Sequence, residues 1–224
     1  RKQLSCAFPA GGPAALRVAL PDDDLREDDA RALALVVPRE VKALVVDGAP
    51  SPVRYRDEAY FVESALASPA SPVRPTVVDA EALPREDLSR YDVVFLLNVR
   101  APGAKRDDLV RFVERGGGLF IALGDQVEPE EWSKEMAALL PMPLHVVKTA
   151  AERGAAGARA ARLGDVAWSH PALAVFTGDA REGLLGMRTF RYVLAKPAQR
   201  AGGGQGAAHV LASFDDGAPA LVEG

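Results

Sequence analysis

Polar residues that follow apolar segments are the positions in this chain where chemistry is expected. They are Asp47 and Gly48, Asp79, Asn98 and Arg100, and Gly124, Asp125 and Gln126. In open α/β sheets, ligands bind outside the carboxyl ends of the strands. Paired carboxylates there can do acid–base work only where burial or a neighbour raises one pKa. These positions form the candidate ligand-binding site, although loops at a sheet edge also need polar residues and glycines for structural reasons.

Four short apolar runs must position these groups. They lie at residues 41–48, 76–79, 91–99 and 119–124, and helical patterns at 55–68 and 105–114 alternate with them. The second helical pattern ends in a basic residue followed by three glycines, a typical C-cap. Strands that alternate with helices indicate β-α-β units with right-handed crossovers. The predicted fold class is therefore α/β, with a mostly parallel, doubly wound sheet and helices on both faces.

The segments on either side of this block are less regular. Residues 15–20 and 32–37 are typical of two strands, which cannot hold a core alone, so residues 1–39 are expected to be the remnant of a β-rich domain. Later, a short helix is expected at 130–140, and strands at 144–148, 187–194 and 208–214, the last two antiparallel at the sheet edge. A loop is expected at 150–162, a glycine-rich hairpin tip at 199–206, and a turn at 215–217 that leads into an incomplete last strand.

Composition argues against several classes of function. The chain has 224 residues, 48% hydrophobic and 26% charged, which is typical of a soluble globular chain. Its length predicts either one domain with an additional segment or two small domains. A net charge of −4 argues against a nucleic-acid binder or a binder of anionic membranes. The single cysteine, Cys6, excludes an internal disulfide, and three scattered histidines leave little for a metal site. No cofactor is expected, and no apolar run reaches the roughly 18–20 residues that span a bilayer.

Residues 120–126, Phe-Ile-Ala-Leu-Gly-Asp-Gln, resemble the nucleophile elbow of class I glutamine amidotransferase-like domains, a flavodoxin-like fold. In that family the motif is Gly-Ile-Cys-x-Gly-His-Gln, and the turn exposes the cysteine at a helix N-terminus. The cysteine position falls on Ala122 and the histidine position on Asp125, whereas Gly124 and Gln126 match. Because alanine cannot be a nucleophile, the resemblance implies an amidotransferase-like fold that is not an enzyme and has no catalytic residues.

The same family takes its catalytic base from a late His-Pro-Glu motif. Here the residues are Ser169, His170, Pro171 and Ala172, so the glutamate is missing. Proline fits the first turn of a helix, and a serine or histidine before it can cap that turn. The motif therefore predicts a short capped helix and no catalytic histidine.

A second resemblance covers nearly the whole chain. Its matching stretches are residues 20–25, 28–29, 41–48, 91–96, 112–119, 139–141 and 216–221. In order and spacing they resemble the C-terminal part of membrane-anchored proteins related to the BatA family of bacterial aerotolerance proteins. That family has a double-transmembrane segment, a von Willebrand factor A-like domain, a β-rich linker domain and a glutamine amidotransferase-like domain.

This resemblance implies an amidotransferase-like domain at residues 40–224 with a truncated last strand, as part of a larger anchored protein. It also implies a place on the periplasmic side of a bacterial membrane, with membrane contact only through segments outside this chain. Other envelope or membrane proteins are the expected partners, and a homo-oligomer is a further expectation. The module would bind a protein partner or a small ligand at the carboxyl edge of its sheet.

Two alternatives stay open at this point. Similar folds accompany some β-galactosidases as an oligomerising domain, and a hydrolase could use sheet-edge carboxylates such as Asp47 with Asp125 or Asp79. A structural spacer would differ from the binding module only in having no ligand.

Overall fold

The computed structural model describes residues 11–19, 30–37, 40–68, 71–151, 159–196 and 208–224. In chain order the elements are β1 Gly12–Ala19, β2 Ala30–Val37, β3 Val41–Asp47, α1 Glu58–Leu66, β4 Val73–Asp79, β5 Val93–Leu97, α2 Arg106–Glu114, β6 Gly118–Ala122, α3 Pro129–Glu135, β7 Leu144–Thr149, β8 Leu163–Val166, α4 Asp179–Gly186, β9 Arg191–Ala195, β10 His209–Phe214 and β11 Pro219–Glu223. Cys6, most of the loop expected at 150–162 and the whole hairpin tip expected at 199–206 lie outside the described residues.

A four-stranded parallel sheet with the order β4-β3-β5-β6 forms the centre of the fold. Strand β3 lies in its interior, and its residues 43–47 are all buried, as expected for an apolar strand covered on both faces. The α/β fold class and the parallel sheet predicted from the sequence are confirmed.

Helices cover this sheet on both faces, because alternate side chains of a strand point to opposite sides. Val45 packs with Ala59 and Val62 of α1 on one face. On the other face, Leu44 and its neighbours pack with apolar residues of α2 and α3. The residues of α2 and α3 in that cluster are Leu109, Phe112, Trp132 and Met136.

Helix α2 ends just before the three glycines at 116–118, as the sequence predicts. Gly116 has φ 92°, a conformation that side chains with a Cβ rarely adopt, and its amide donates to the Val113 carbonyl. A Cβ on Gly117 would lie 2.4 Å from the ring of Phe112. The glycine run therefore turns the chain sharply from α2 into β6, which places β6 beside β5.

The late strands do not extend the parallel sheet, so the prediction that 187–194 and 208–214 add antiparallel strands to its edge is wrong. Within the described residues, β9 pairs with β7 as a two-stranded antiparallel ribbon, and β10 pairs with β8 and β11 in a three-stranded sheet. The cause is a second core of Val166, Leu173, Leu211 and Ala212, which buries the apolar side chains of β8 and β10 on their own. The expected last strand is present as β11.

The His-Pro motif forms a turn, and the short helix predicted there is wrong. The amides of Leu173 and Ala174 both donate to the His170 carbonyl, and in the described residues from 159 onward the first α-helix is α4. His170 Nδ1 accepts from the Ala172 amide at 3.4 Å, and its Nε2 lies 3.2 Å from Glu223 Oε1. His170 therefore joins this turn to β11.

Strands β1 and β2 form an antiparallel pair, in which Gly12 is opposite Val37 and Ala19 opposite Ala30. The two strands predicted in this part of the chain are therefore present. The division of the chain at residue 39 stays a prediction. Among the described residues, every helix is too short or too polar to cross a lipid bilayer.

An ionic cluster joins the β7–β9 ribbon to the turn between β10 and β11. Asp216 accepts hydrogen bonds from Lys148 Nζ of β7 and from the Tyr192 hydroxyl of β9. It also accepts from the Ala218 amide at 3.0 Å. Hydrogen bonds from Lys148 and Tyr192 lower the pKa of Asp216 to about 2.

We expect Asp216→Asn to remove part of the acid sensitivity of the fold. Because the folded-state pKa lies below the usual value, the ionised Asp216 stabilises the fold above about pH 4, and this contribution is lost as the pH falls toward 2. After allowance for solvent screening, wild type should lose about 1 kcal/mol more than the variant between pH 5 and pH 2. Urea unfolding at both pH values measures the difference. Asp165→Asn, at an exposed position of β8, is the control, and equal losses in wild type and Asp216→Asn would contradict the prediction.

Candidate functional site

The strand ends of the parallel sheet bring most of the predicted site residues to one edge. Asp47 and Asp79 are partners in the β3–β4 register, and Asn98 directly follows β5. The turn at 124–127 follows β6, where the Gly124 carbonyl accepts from the Val127 amide at 3.3 Å. This arrangement follows from parallel pairing, since all four strands end at the same side.

Asn98 is the central residue of this edge and is only 3% exposed. Its Nδ2 donates to Asp125 Oδ1 at 2.8 Å and to Glu58 Oε1 at 3.2 Å, and its Oδ1 accepts from the Gln126 amide at 2.8 Å. Its φ of 52° lies in the left-handed region, where asparagine is among the most tolerated residues other than glycine. One side chain therefore joins the start of α1, the end of β5 and the loop after β6.

Gly48 and Gly124 allow this close packing. A Cβ on Gly48 would lie 2.1 Å from the carbonyl oxygen of Asn98, and a Cβ on Gly124 would lie 2.2 Å from Cγ of Asn98. The Gly48 amide also donates to the Leu97 carbonyl at 2.8 Å. Both glycines therefore hold the site together by close approach of the backbone.

Asp47 is 2% exposed and faces other carboxylates. Burial raises its pKa, and the charges of Asp57 and Asp79 raise it further, while a hydrogen bond from the Ala49 amide opposes the change. Asp57 also caps α1, since its Oδ1 accepts from the Tyr60 amide at 3.2 Å. The charge of Asp47 is thus held in an unfavourable environment.

We expect Asp47→Asn to stabilise the fold at neutral pH by about 1 kcal/mol. A raised pKa means that the ionised form is disfavoured in the folded protein, so ionisation costs stability as the pH rises through the folded-state value. The variant keeps an oxygen that can accept from the Ala49 amide, and it carries no charge. Thermal unfolding at pH 4 and pH 8 tests this, because the gain should be larger at pH 8. A variant that is less stable than wild type at pH 8 would contradict it.

Glu58 is the first residue of α1 and carries a perturbed carboxyl group. Burial raises its pKa, and the charges of Asp47 and Asp125 raise it further, whereas the hydrogen bond from Asn98 lowers it. Glu58 is not among the site residues predicted from the sequence. An Asp-Glu pair at the start of the helical pattern, directly after the segment that follows β3, was the available signal.

A cavity of about 840 Å³ lies beside this edge. The wall formed by the edge, here called the edge wall, consists of Glu58, Leu123, Gly124 and Asp125. The rest of the lining, here called the ribbon wall, is formed mainly by the β7–β9 ribbon and the residues just before β9. Its residues include Val147, Thr149, Arg188, Thr189, Arg191 and Val193. In the ribbon, Val147 is opposite Val193 and Thr149 is opposite Arg191.

The two walls carry charges of opposite sign. Glu58 and Asp125 supply the carboxylates of the edge wall, and Arg188 and Arg191 supply the guanidinium groups of the ribbon wall. Neither arginine forms an ion pair with another residue that the structure describes. The same cavity is therefore lined by carboxylates and by two arginines that have no ion-pair partner among the described residues.

The other predicted site residues take supporting positions. Asp47 and Asn98 are buried beneath the edge, and only Gly124 and Asp125 of the predicted set line the larger cavity. The carbonyl of Arg100 accepts from Trp132 Nε1 at 2.6 Å, and the side chains of Arg100 and Gln126 do not line that cavity. A smaller cavity of about 460 Å³ shares Glu58 and is also lined by Tyr55, Arg56, Asp57 and Phe61.

The chain after β6 differs in geometry from a nucleophile elbow. Ala122 is the last residue of β6, and its carbonyl accepts from the Asn98 amide at 2.9 Å. The turn at 124–127 separates it from α3, which begins only at Pro129. In the described part of the chain, no group of three or more His, Cys, Asp or Glu residues is arranged to hold a metal ion.

Fold and site together define an α/β protein with a charged cavity at the carboxyl edge of a parallel sheet. No protein-family model matches the chain, and a search of the curated proteins finds no match. The resemblances noted in the sequence therefore stay predictions.

Proposed function

We propose that this chain is a non-catalytic, amidotransferase-like binding module of a larger membrane-anchored bacterial envelope protein. It binds a protein partner or a small ligand at the carboxyl edge of its sheet. The observation that carries the proposal is the cavity of about 840 Å³ at that edge, within the range of roughly 300–1,000 Å³ typical of ligand sites. The residue at the nucleophile position of the elbow is Ala122.

The topology supports an amidotransferase-like, flavodoxin-like fold. In such doubly wound sheets the second strand along the chain lies outside the first, and the third and fourth strands follow on the other side. The order β4-β3-β5-β6 has this arrangement, with helices on both faces. The ligand of such a sheet lies outside the carboxyl ends of its strands, which is where the cavity is found.

The cellular setting follows from the resemblance to BatA-related proteins. The module would lie on the periplasmic side of a bacterial membrane, with other envelope or membrane proteins, or a second copy of the chain, as partners. Expression of the full reading frame with a tag, followed by membrane fractionation and protease protection, tests this part of the proposal. Recovery of the whole protein in the cytosolic fraction would contradict it.

A thermal-shift screen against a library of charged small molecules tests binding at the edge. Compounds that raise the melting temperature of wild type should lose this effect with Asp125→Ala, which removes a cavity carboxylate. Glu130→Ala, at an exposed position of α3 outside the cavity, should leave the shifts unchanged. Shifts that persist fully in Asp125→Ala would show that binding occurs elsewhere and would overturn the proposal for small ligands.

A hydrolase is the second candidate, on the strength of one observation. Glu58, whose pKa is raised by burial and by neighbouring charges, lines the cavity together with Asp125. In such a pair, a carboxyl group with a raised pKa can act as a general acid. Hydrolysis of chromogenic ester, amide or glycoside substrates that is abolished by Glu58→Gln would favour this candidate over the binding module.

A further inference from the structure

The charged residues of the cavity suit a ligand that carries both a positive and a negative group. The side chains of Arg188 and Arg191 are exposed and form no ion pair with any other described residue, although two carboxylates line the same cavity. Opposite charges that share a cavity without pairing leave each group able to bind a counter-charge from a ligand. Guanidinium groups favour carboxylates, with which they form paired hydrogen bonds.

The carboxylates of the edge wall are held in fixed positions. Asn98 Nδ2 donates to one oxygen of Glu58 and to one oxygen of Asp125. Within the part of the chain that the structure describes, the second oxygen of Asp125 accepts no hydrogen bond, whereas the Glu58 carboxylate also accepts from its own backbone amide. Two acceptors held by one amide suit an ammonium group, which has three donors and no acceptor.

Apolar and hydroxyl groups line the ribbon wall beside the arginines. Val147 and Val193 are cross-strand partners, and Thr149 is the cross-strand partner of Arg191. These side chains suit the apolar body of a ligand whose charged groups lie at its ends. A volume of about 840 Å³ is in the upper part of the range for ligand sites, well above the need of a single amino acid.

We propose that the cavity binds a short peptide with free ends, its ammonium group at Glu58 and Asp125 and its carboxylate at Arg188 and Arg191. This rests on the proposed binding function and names its ligand class. Each terminal charge contributes to affinity through charge-assisted hydrogen bonds. Recognition of both ends makes the site selective for short peptides over segments inside a protein chain.

Isothermal titration calorimetry of the full chain with the tripeptide Ala-Val-Ala tests this proposal. The same peptide with an acetylated N-terminus, and with an amidated C-terminus, should each bind at least about tenfold more weakly, the usual effect of losing one charge-assisted hydrogen bond. Equal affinity for the free and both blocked peptides would overturn the proposal. Binding of alanine as tight as that of the tripeptide would overturn the assignment to peptides.

Variants identify which wall binds which end. Arg188→Gln with Arg191→Gln should weaken binding of the free peptide about tenfold or more and have little further effect on binding of the amidated peptide. Glu58→Gln with Asp125→Asn should likewise weaken binding of the free peptide about tenfold or more and have little further effect on binding of the acetylated peptide. Arg115→Gln and Glu114→Gln, at exposed positions beyond the cavity, are matched controls, and circular dichroism checks that every variant is folded.

Failure of this proposal is distinguishable from failure of the proposed function. If Ala-Val-Ala does not bind at millimolar concentration while other compounds give thermal shifts that depend on Asp125, the peptide proposal is overturned and the binding module stands. If no compound gives such shifts and the tripeptide does not bind, both are overturned for small ligands.

Discussion

Gly48→Ala is expected to lower the free energy of unfolding by on the order of 3 kcal/mol. The added Cβ would lie 2.1 Å from the Asn98 carbonyl oxygen and 2.6 Å from Cα of Val99. Both atoms belong to the backbone directly after β5, so no side-chain rotation can relieve the overlap. The end of β3 must therefore separate from the end of β5, which weakens the bond from the Gly48 amide to the Leu97 carbonyl. Urea unfolding measures the change.

Gly183→Ala is the matched control for that variant. Gly183 lies within α4, and a Cβ there would meet no atom within 4 Å. Alanine is the better helix former, so the control should gain about 0.4–1 kcal/mol. Opposite signs for the same chemical change would show that the effect at Gly48 is local crowding. A Gly48→Ala protein as stable as wild type would contradict the close approach between β3 and β5.

Trp132→Ala is expected to lower the free energy of unfolding by about 3–5 kcal/mol, the usual cost of removing a large buried aromatic side chain. Trp132 is 1% exposed and packs in the main core with residues of α2 and the sheet. Its Nε1 also donates to the carbonyls of Val99 at 3.1 Å and Arg100 at 2.6 Å. The variant therefore loses both core packing and a link to the segment that follows Asn98.

Trp132→Phe separates these two contributions. Phenylalanine keeps most of the apolar contact and removes the hydrogen bonds, so this variant should lose less stability than Trp132→Ala. Because the carbonyls of residues 99 and 100 lose their partner, NMR should show shifted amide resonances at Asn98 in both variants. Stability losses below 1 kcal/mol in Trp132→Ala would contradict the assignment of Trp132 to the core.

The parallel sheet could be predicted because its signals are local. The apolar run that contains β3 has a length and composition typical of a buried strand, and the glycines after α2 mark a helix end. Asp47, Asn98 and Asp125 could be placed at one edge for the same reason, since each follows such a run. That Asn98 joins Glu58 to Asp125 could not be predicted, because side-chain hydrogen bonds between distant residues leave no local pattern.

The ribbon wall could not be predicted from the sequence. Arg188 and Arg191 belong to a segment that was expected to extend the central sheet, and their position depends on the pairing of β9 with β7. Pairing partners of late strands are decided by which apolar surfaces are buried together, here the second core around Leu211. Sequence alone gives the strand and not its partner.

The hydrogen bonds of Asn98 also affect how this site can change during evolution. Replacing Asn98 would disturb residues 58, 125 and 126 at once, and its close neighbours Gly48 and Gly124 have no room for a larger side chain. The edge wall is therefore expected to vary little among descendants of this chain. New specificities would arise on the ribbon wall, where exposed residues such as Arg188 and Arg191 can be exchanged singly without disturbing a packed neighbour.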